Sequence, residues 1–185
     1  MPELQIGLFP DVGSRYFLRQ LSQPLALYLA MSSVRLSVSD LSFAGFIDAV
    51  VDTDAFVTIK DALCATSWDH LIGDAPAIAA QVKACLLEQT TDQPLAPSSL
   101  ARHHQTILKA FANINQADAL AELAEDSPWG EALAASIQSY APTVRAWIWH
   151  LFREAPIPAS YRAALSGDYR LGQHFLGLPD FKEGI

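Results

Sequence analysis

Residues 1–18 read "MPELQIGLFPDVGSRYFL". Pro2 and Pro10 disfavour helix in the residue before each, and "DVGS" (residues 11–14) is turn-like. The first 13 residues therefore read as extended and looped. Tyr16, Phe17, Leu18 and Leu21 then fall at helical spacing, so a helix is expected from the Gly13–Ser14 junction, with Ser14 as its N-cap. Within the lead-in, Glu3 and Asp11 each directly follow a proline and flank a run containing Ile6, Leu8 and Phe9. Two carboxylates can serve as general acid and base where their surroundings differ. Spacing alone favours the plainer reading, two surface acids on a loop.

Outward from this segment, composition limits the rest. The 185 residues are 51% hydrophobic and 17% charged, enough apolar material for a packed core. The formal charge of -8 argues against nucleic acid or an anionic membrane as partner, since both demand net positive charge. No apolar run approaches the ~18 residues of a membrane span. Cys64 and Cys85 show no disulfide or zinc spacing and read as free thiols. With no signal peptide visible, a cytoplasmic location is expected.

"QPLALYLAMSS" predicts a helix with Pro24 in its first turn and Leu25, Tyr28, Leu29 and Met31 buried. "SVSDLSFAG" predicts a short helix stopped by Gly45, and "DAVVD" (48–52) a brief strand. After Thr53, itself an expected N-cap, only helices are predicted. Asp74 caps one that turns Ile78, Val82, Cys85 and Leu86 inward. The strongest amphipathic pattern is "APTVRAWIWHLFREA", with Val144, Trp147, Ile148, Leu151 and Phe152 on one stripe. A last helix is expected over about 158–177, with "LPDFKEGI" trailing out. The architecture expected is mainly α with a small α/β N-terminal remnant, divided into residues 1–52 and a helical part, 53–185. A single strand cannot satisfy its own ladder, so its partners are expected in a missing portion.

Other candidate sites are weaker. His103 and His104 have no acid or histidine at i+3 or i+4, so no metal site is expected. His150 and His174 read as ordinary helix residues. "VGSRY" lacks the second glycine of a nucleophile elbow. Trp147 and Trp149 point in different directions, one into the core and one available to a partner.

The opening segment resembles the "PE-x3-GL-x-PD-x-G" stretch of the crotonase (enoyl-CoA hydratase/isomerase) superfamily and, within it, the 3-hydroxyisobutyryl-CoA hydrolases. "LALYLAMSSVRLSVSDLSFAGFIDAVVD" continues the likeness, and "GDYRLGQHFLGLPDFKEGI" is similar to that branch's "EYRL…DF-x-EGV" stretch. Between about Thr53 and Tyr140 only helical character agrees. The resemblance implies the C-terminal part of a crotonase-like fold, with catalytic Glu3 and Asp11. Glu3 matches the catalytic glutamate after proline. Asp11 matches the "FPDVG" aspartate of the hydrolase branch, where hydratases carry a glycine-rich stretch. It implies an acyl-CoA substrate, with coenzyme A part of the substrate and no further cofactor, and a role in valine breakdown. C-terminal helices in this superfamily cover the active site and form homo-oligomers.

There are departures from the pattern. Ser14 stands where the branch often has a glycine, Arg15 introduces a charge near the pocket mouth, and Asp48 stands where the branch commonly has a threonine or histidine neighbourhood. The superfamily's oxyanion-hole half precedes the "MPE" segment, so the chain is expected to be a C-terminal fragment, inactive alone, with Met1 internal or an added start. The alternatives are a fragment of an enoyl-CoA hydratase/isomerase, or a non-catalytic helical interaction or lid module.

Overall fold

A computed structural model describes residues 2–90 and 95–184; Met1 and Ile185, which close the two ends of the resemblance, lie outside it. A 3-10 turn at Pro2–Ile6 replaces the extended lead-in expected there. Then come α1 (Ser14–Leu18), α2 (Gln23–Ser32), α3 (Val38–Phe43), α4 (Ala55–Ala65) and α5 (Ala75–Leu87). They are followed by α6 (Ser99–Phe111), α7 (Gln116–Asp126), α8 (Pro128–Ser139), α9 (Pro142–Arg153), α10 (Tyr161–Phe175) and α11 (Pro179–Gly184). The mainly helical class expected from the sequence is what is found.

Backbone proximity groups the chain into two compact units, residues 1–35 with 102–185, and residues 36–101. This partition differs from a division at residue 52, because the opening segment packs on helices from the far end of the chain.

In the first unit α2 is central. Leu25 to Ser32 are all buried, the mark of a helix enclosed on every side. It packs on α8 and α9, while α7 lies on α8. The last two approach closely at Gly130, where a Cβ would run into the Leu123 carbonyl. Asn115 and Ser127 cap α7 and α8 with side-chain oxygens, satisfying backbone N–H groups that a helix start leaves open. On α9, Val144 and Ile148 are buried as expected, but Trp149 rather than Trp147 completes the core. Trp149 lies 6.5 Å from the Phe111 ring and donates to the Ile114 carbonyl. Trp147 is 41% exposed. The final residues do not trail out. They form α11, which packs on the 3-10 turn.

The second unit holds α3, α4, α5 and the first turn of α6. The expected strand at 48–52 is reduced to one bridge, Val51 to Thr90; no described segment supplies it with a ladder. Thr53 is not an N-cap, since α4 begins at Ala55 behind Asp54. Asp74 does cap α5, and Cys85 is buried, but Ile78 is exposed. Both cysteines are free thiols.

The unit's buried charge is Asp40, 5% exposed. Its Oδ1 accepts from the Leu100 amide (2.8 Å) and the Ser98 hydroxyl (2.7 Å), and its Oδ2 from the Ser37 amide and hydroxyl. Burial alone would raise its pKa, but these four donors outweigh burial and hold it at about 2. The carboxylate thus stabilises the fold above the ordinary carboxylate range, by about 2 kcal/mol, and that stability drains away as pH falls towards 2. In an acid titration followed by circular dichroism, Asp40→Asn should flatten the stability profile between about pH 5 and 2. A parallel profile would show that Asp40 does not carry the acid sensitivity.

Candidate active site

The segment from Pro2 to Leu18 is anchored by its apolar residues. Leu4, Phe9 and Pro10 are fully buried. Phe9 packs on Phe175 of α10 with ring centroids 5.0 Å apart. The 3-10 turn closes with the Gly7 amide donating to the Leu4 carbonyl and Leu8 to Glu3. Gly7 has φ +69, and a Cβ there would meet the Asp180 carbonyl oxygen at 2.6 Å, so glycine is required where α11 crosses.

Glu3 is half-buried in this turn. Its Oε2 is buried with no hydrogen-bond partner among the described residues. A buried acceptor left unpaired costs roughly 1–3 kcal/mol, a penalty that folded proteins rarely carry without use.

Asp11 is also half-buried and begins a strained turn. Val12 has φ +53, unusual for a β-branched residue, and Gly13 has φ +79. Gly13, not Ser14, caps α1, because the Ser14 hydroxyl turns back to the Pro10 carbonyl at 2.6 Å. Helix α10 holds the turn from two points: Asp168 Oδ2 accepts from the Gly13 amide at 2.7 Å, and the Tyr161 hydroxyl donates to the Val12 carbonyl at 3.2 Å. A Cβ on Gly13 would clash with the Tyr161 ring.

Arg15 is tied down at the rim of a cavity. Its Nη2 donates to the carbonyls of Ala155 (3.2 Å) and Pro156 (2.8 Å). Burial lowers its pKa, and the Asp168 charge opposes that. For Asp168, burial raises the pKa; the Gly13 amide opposes, the Asp11 charge raises it further, and Arg15 opposes. Arg15 and Asp168 line a cavity of about 430 Å³ with Leu151, Pro158, Gly167 and His174.

The structure thus gathers Asp11, Arg15 and Asp168 into one electrostatic group, while Glu3 forms a separate feature of the same segment. Sequence reasoning missed Asp168 and Tyr161. For Asp168 the only signal was that "GDYRL" lies within the stretch similar to the hydrolase branch, and Tyr161 lies outside that stretch. His103 and His150 have local roles. His103 stacks on Trp129 at 3.8 Å, with burial and then Arg102 lowering its pKa against Asp126, and His150 pairs with Glu154. Asp48 makes an exposed ion pair with Lys83.

Comparison with known proteins agrees over the full chain. The enoyl-CoA hydratase/isomerase family model matches residues 1–185. The mitochondrial 3-hydroxyisobutyryl-CoA hydrolase of Xenopus laevis is 29% identical over 186 residues, covering 100% of this chain and 47% of that protein. The human enzyme of that name is 42% identical over 65 residues, 35% of this chain and 17% of that protein. Among solved structures, a carnitinyl-CoA dehydratase from Mycobacterium thermoresistibile superposes with TM-score 0.78 at 28% identity. That match covers 100% of this chain and 50% of the dehydratase. The chain spans about half the length of the curated relatives it matches. The cytoplasmic location expected from the sequence is overturned: these relatives are mitochondrial proteins. The first residues of a chain half as long as its relatives say nothing of a leader.

Proposed function

The chain belongs to the enoyl-CoA hydratase/isomerase family, and from that premise we propose that it is the C-terminal portion of an acyl-CoA thioester hydrolase of the 3-hydroxyisobutyryl-CoA type, acting in valine breakdown. What carries the reading is the match of the whole chain to about half the length of hydrolases of that name, in a chain whose Glu3 keeps a buried oxygen without a hydrogen-bond partner among the described residues.

In this reading residues 1–52 carry the active-site part of the core. Glu3 takes a proton from water as it adds to the thioester carbonyl, or attacks that carbon itself to form a mixed anhydride, which water then hydrolyses to restore the carboxylate. The C–S bond breaks, coenzyme A leaves as the thiol, and the acid is released. Asp11 orients the substrate hydroxyl or the water. Donors for the developing oxyanion come from the remainder of the protein, so this chain alone lacks activity, since such donors are usually the largest catalytic contribution. Coenzyme A enters only as part of the substrate. A homo-oligomer through the C-terminal helices belongs to the same proposal, and exposed Trp147 on α9 suits it.

The test is the whole protein offered 3-hydroxyisobutyryl-CoA and crotonyl-CoA. Free thiol released from the first supports the hydrolase. Hydration of the second without thiol release favours the second reading, an enoyl-CoA hydratase, which the likeness to a dehydratase supports. Asp11→Asn should lower kcat for thiol release about 10- to 100-fold, as expected for loss of an orienting carboxylate, and should change crotonyl-CoA hydration far less. Equal losses in both reactions would remove the special role of Asp11 in hydrolysis.

A further inference from the structure

We propose that Asp168 is a positioning residue, which fixes the Asp11–Gly13 turn from behind through its bond to the Gly13 amide and so sets where Asp11 stands. This rests on the reading of Asp11 given above.

The turn is not stable by its own geometry. Val12 and Gly13 are consecutive residues with positive φ, and Val12 receives no packing in return, being 68% exposed. Such a turn persists only where its surroundings over-determine it. Here the surroundings are α10. Asp168 bonds the Gly13 amide at 2.7 Å, and Tyr161 bonds the Val12 carbonyl seven residues earlier on the same helix. The first contact spans 155 residues of chain and uses an ionisable acceptor, so it is both directional and charge-assisted.

The charged groups around Asp168 are Asp11 and Arg15 from the turn and α1, with Arg170 and His174 on the wall of the shared cavity. Burial and the Asp11 charge raise the Asp168 pKa, so lowering the pH weakens the tether by neutralising its acceptor. A displaced orienting group is expensive, because about 1 Å of misplacement can lower a rate by roughly 100-fold.

The experiment uses the whole protein. The wild-type assays with the two thioesters decide the hydrolase reading; the ratio of variant to wild type in thiol release, together with the Gly13 resonance, decides the role of Asp168, and a wild type that only hydrates crotonyl-CoA overturns the reading of Asp11 while the Gly13 resonance still tests the tether. Asp168→Ala should lower kcat about 10- to 100-fold with KM changed by less than about threefold. Asp168→Glu keeps a charged acceptor and should recover kcat to within about threefold of wild type. The Gly13 amide proton, followed by NMR, should move upfield as acid neutralises Asp168, and should not titrate in Asp168→Asn. The proposal fails if Asp168→Ala retains at least half the wild-type kcat, if Asp168→Glu is as slow as Asp168→Ala, or if the wild-type Gly13 resonance ignores pH. Should Asp168→Ala not fold, the Asn and Glu variants and the Gly13 resonance decide without it.

Discussion

Glu3→Gln, made in the whole protein and assayed by thiol release from 3-hydroxyisobutyryl-CoA, is expected to lower kcat about 1,000-fold, within the range that positioned general bases supply. Both roles open to Glu3 need a carboxylate electron pair. As base it takes a proton from water, and as nucleophile it bonds the carbonyl carbon; an amide does neither. Stability should hardly change. The substitution is nearly isosteric, and among the described residues Oε2 has no hydrogen-bond partner to lose. Thermal unfolding of the variant therefore separates chemistry from folding, with a midpoint expected within about 2 °C of wild type, the shift of about 0.5–1 kcal/mol at most in a domain of this size. Glu3→Asp, which draws the carboxylate back by one methylene, should fall between the two, because reacting atoms must meet within a few tenths of an ångström. If Glu3→Gln keeps more than about a tenth of wild-type kcat, Glu3 is not the group that activates water or substrate.

Little of this site could be read from local pattern. Glu3 and Asp11 rose above two loop acids only through the "PE-x3-GL-x-PD-x-G" resemblance, since their charge and spacing equally describe two ordinary surface acids. Asp168 was invisible for a physical reason: its role is created by a tertiary contact with a backbone amide 155 residues away. The helices were far more legible. The span of α9, Pro142–Arg153, and the burial of Val144 and Ile148 follow directly from 3.6-residue periodicity. Periodicity failed only at the edge of the stripe, where Trp147 and Trp149 compete. The outcome there depended on the neighbours, the Phe111 ring and the Ile114 carbonyl that receive Trp149. "DAVVD" failed differently. Its β-branched residues are suited to a strand, but a strand exists only where another supplies its ladder, and the described residues offer Thr90 alone. Ser14 lost its capping role because its hydroxyl found the Pro10 carbonyl and Gly13 accepted the left-handed backbone that the turn demands.

The apolar run between the two acids makes the second large prediction. Phe9→Ala is expected to destabilise the chain by about 3–5 kcal/mol, the usual range for a fully buried aromatic ring whose cavity cannot collapse. Phe9 is 0% exposed and meets Phe175, itself 1% exposed, which in turn lies 6.2 Å from Trp147. In a domain of this length each kcal/mol moves the melting midpoint by about 2–4 °C, so the shift should be at least about 6 °C. Phe9→Leu should recover more than half of it by refilling most of the volume. A double-mutant cycle with Phe175→Ala should show coupling of about 0.5–1.5 kcal/mol, the value of a tilted ring pair beyond its buried area. The functional consequence follows from position. Phe9 lies between Glu3 and Asp11 in sequence and pins their segment to α10, the helix that also grips the Val12–Gly13 turn. At a temperature where Phe9→Ala is still folded, kcat should therefore fall, although the ring makes no contact with reacting atoms in the proposed chemistry. Unchanged stability would mean that α10 does not anchor the segment. A lower melting point with undiminished kcat would mean that the two carboxylates are held by something other than the packing between them.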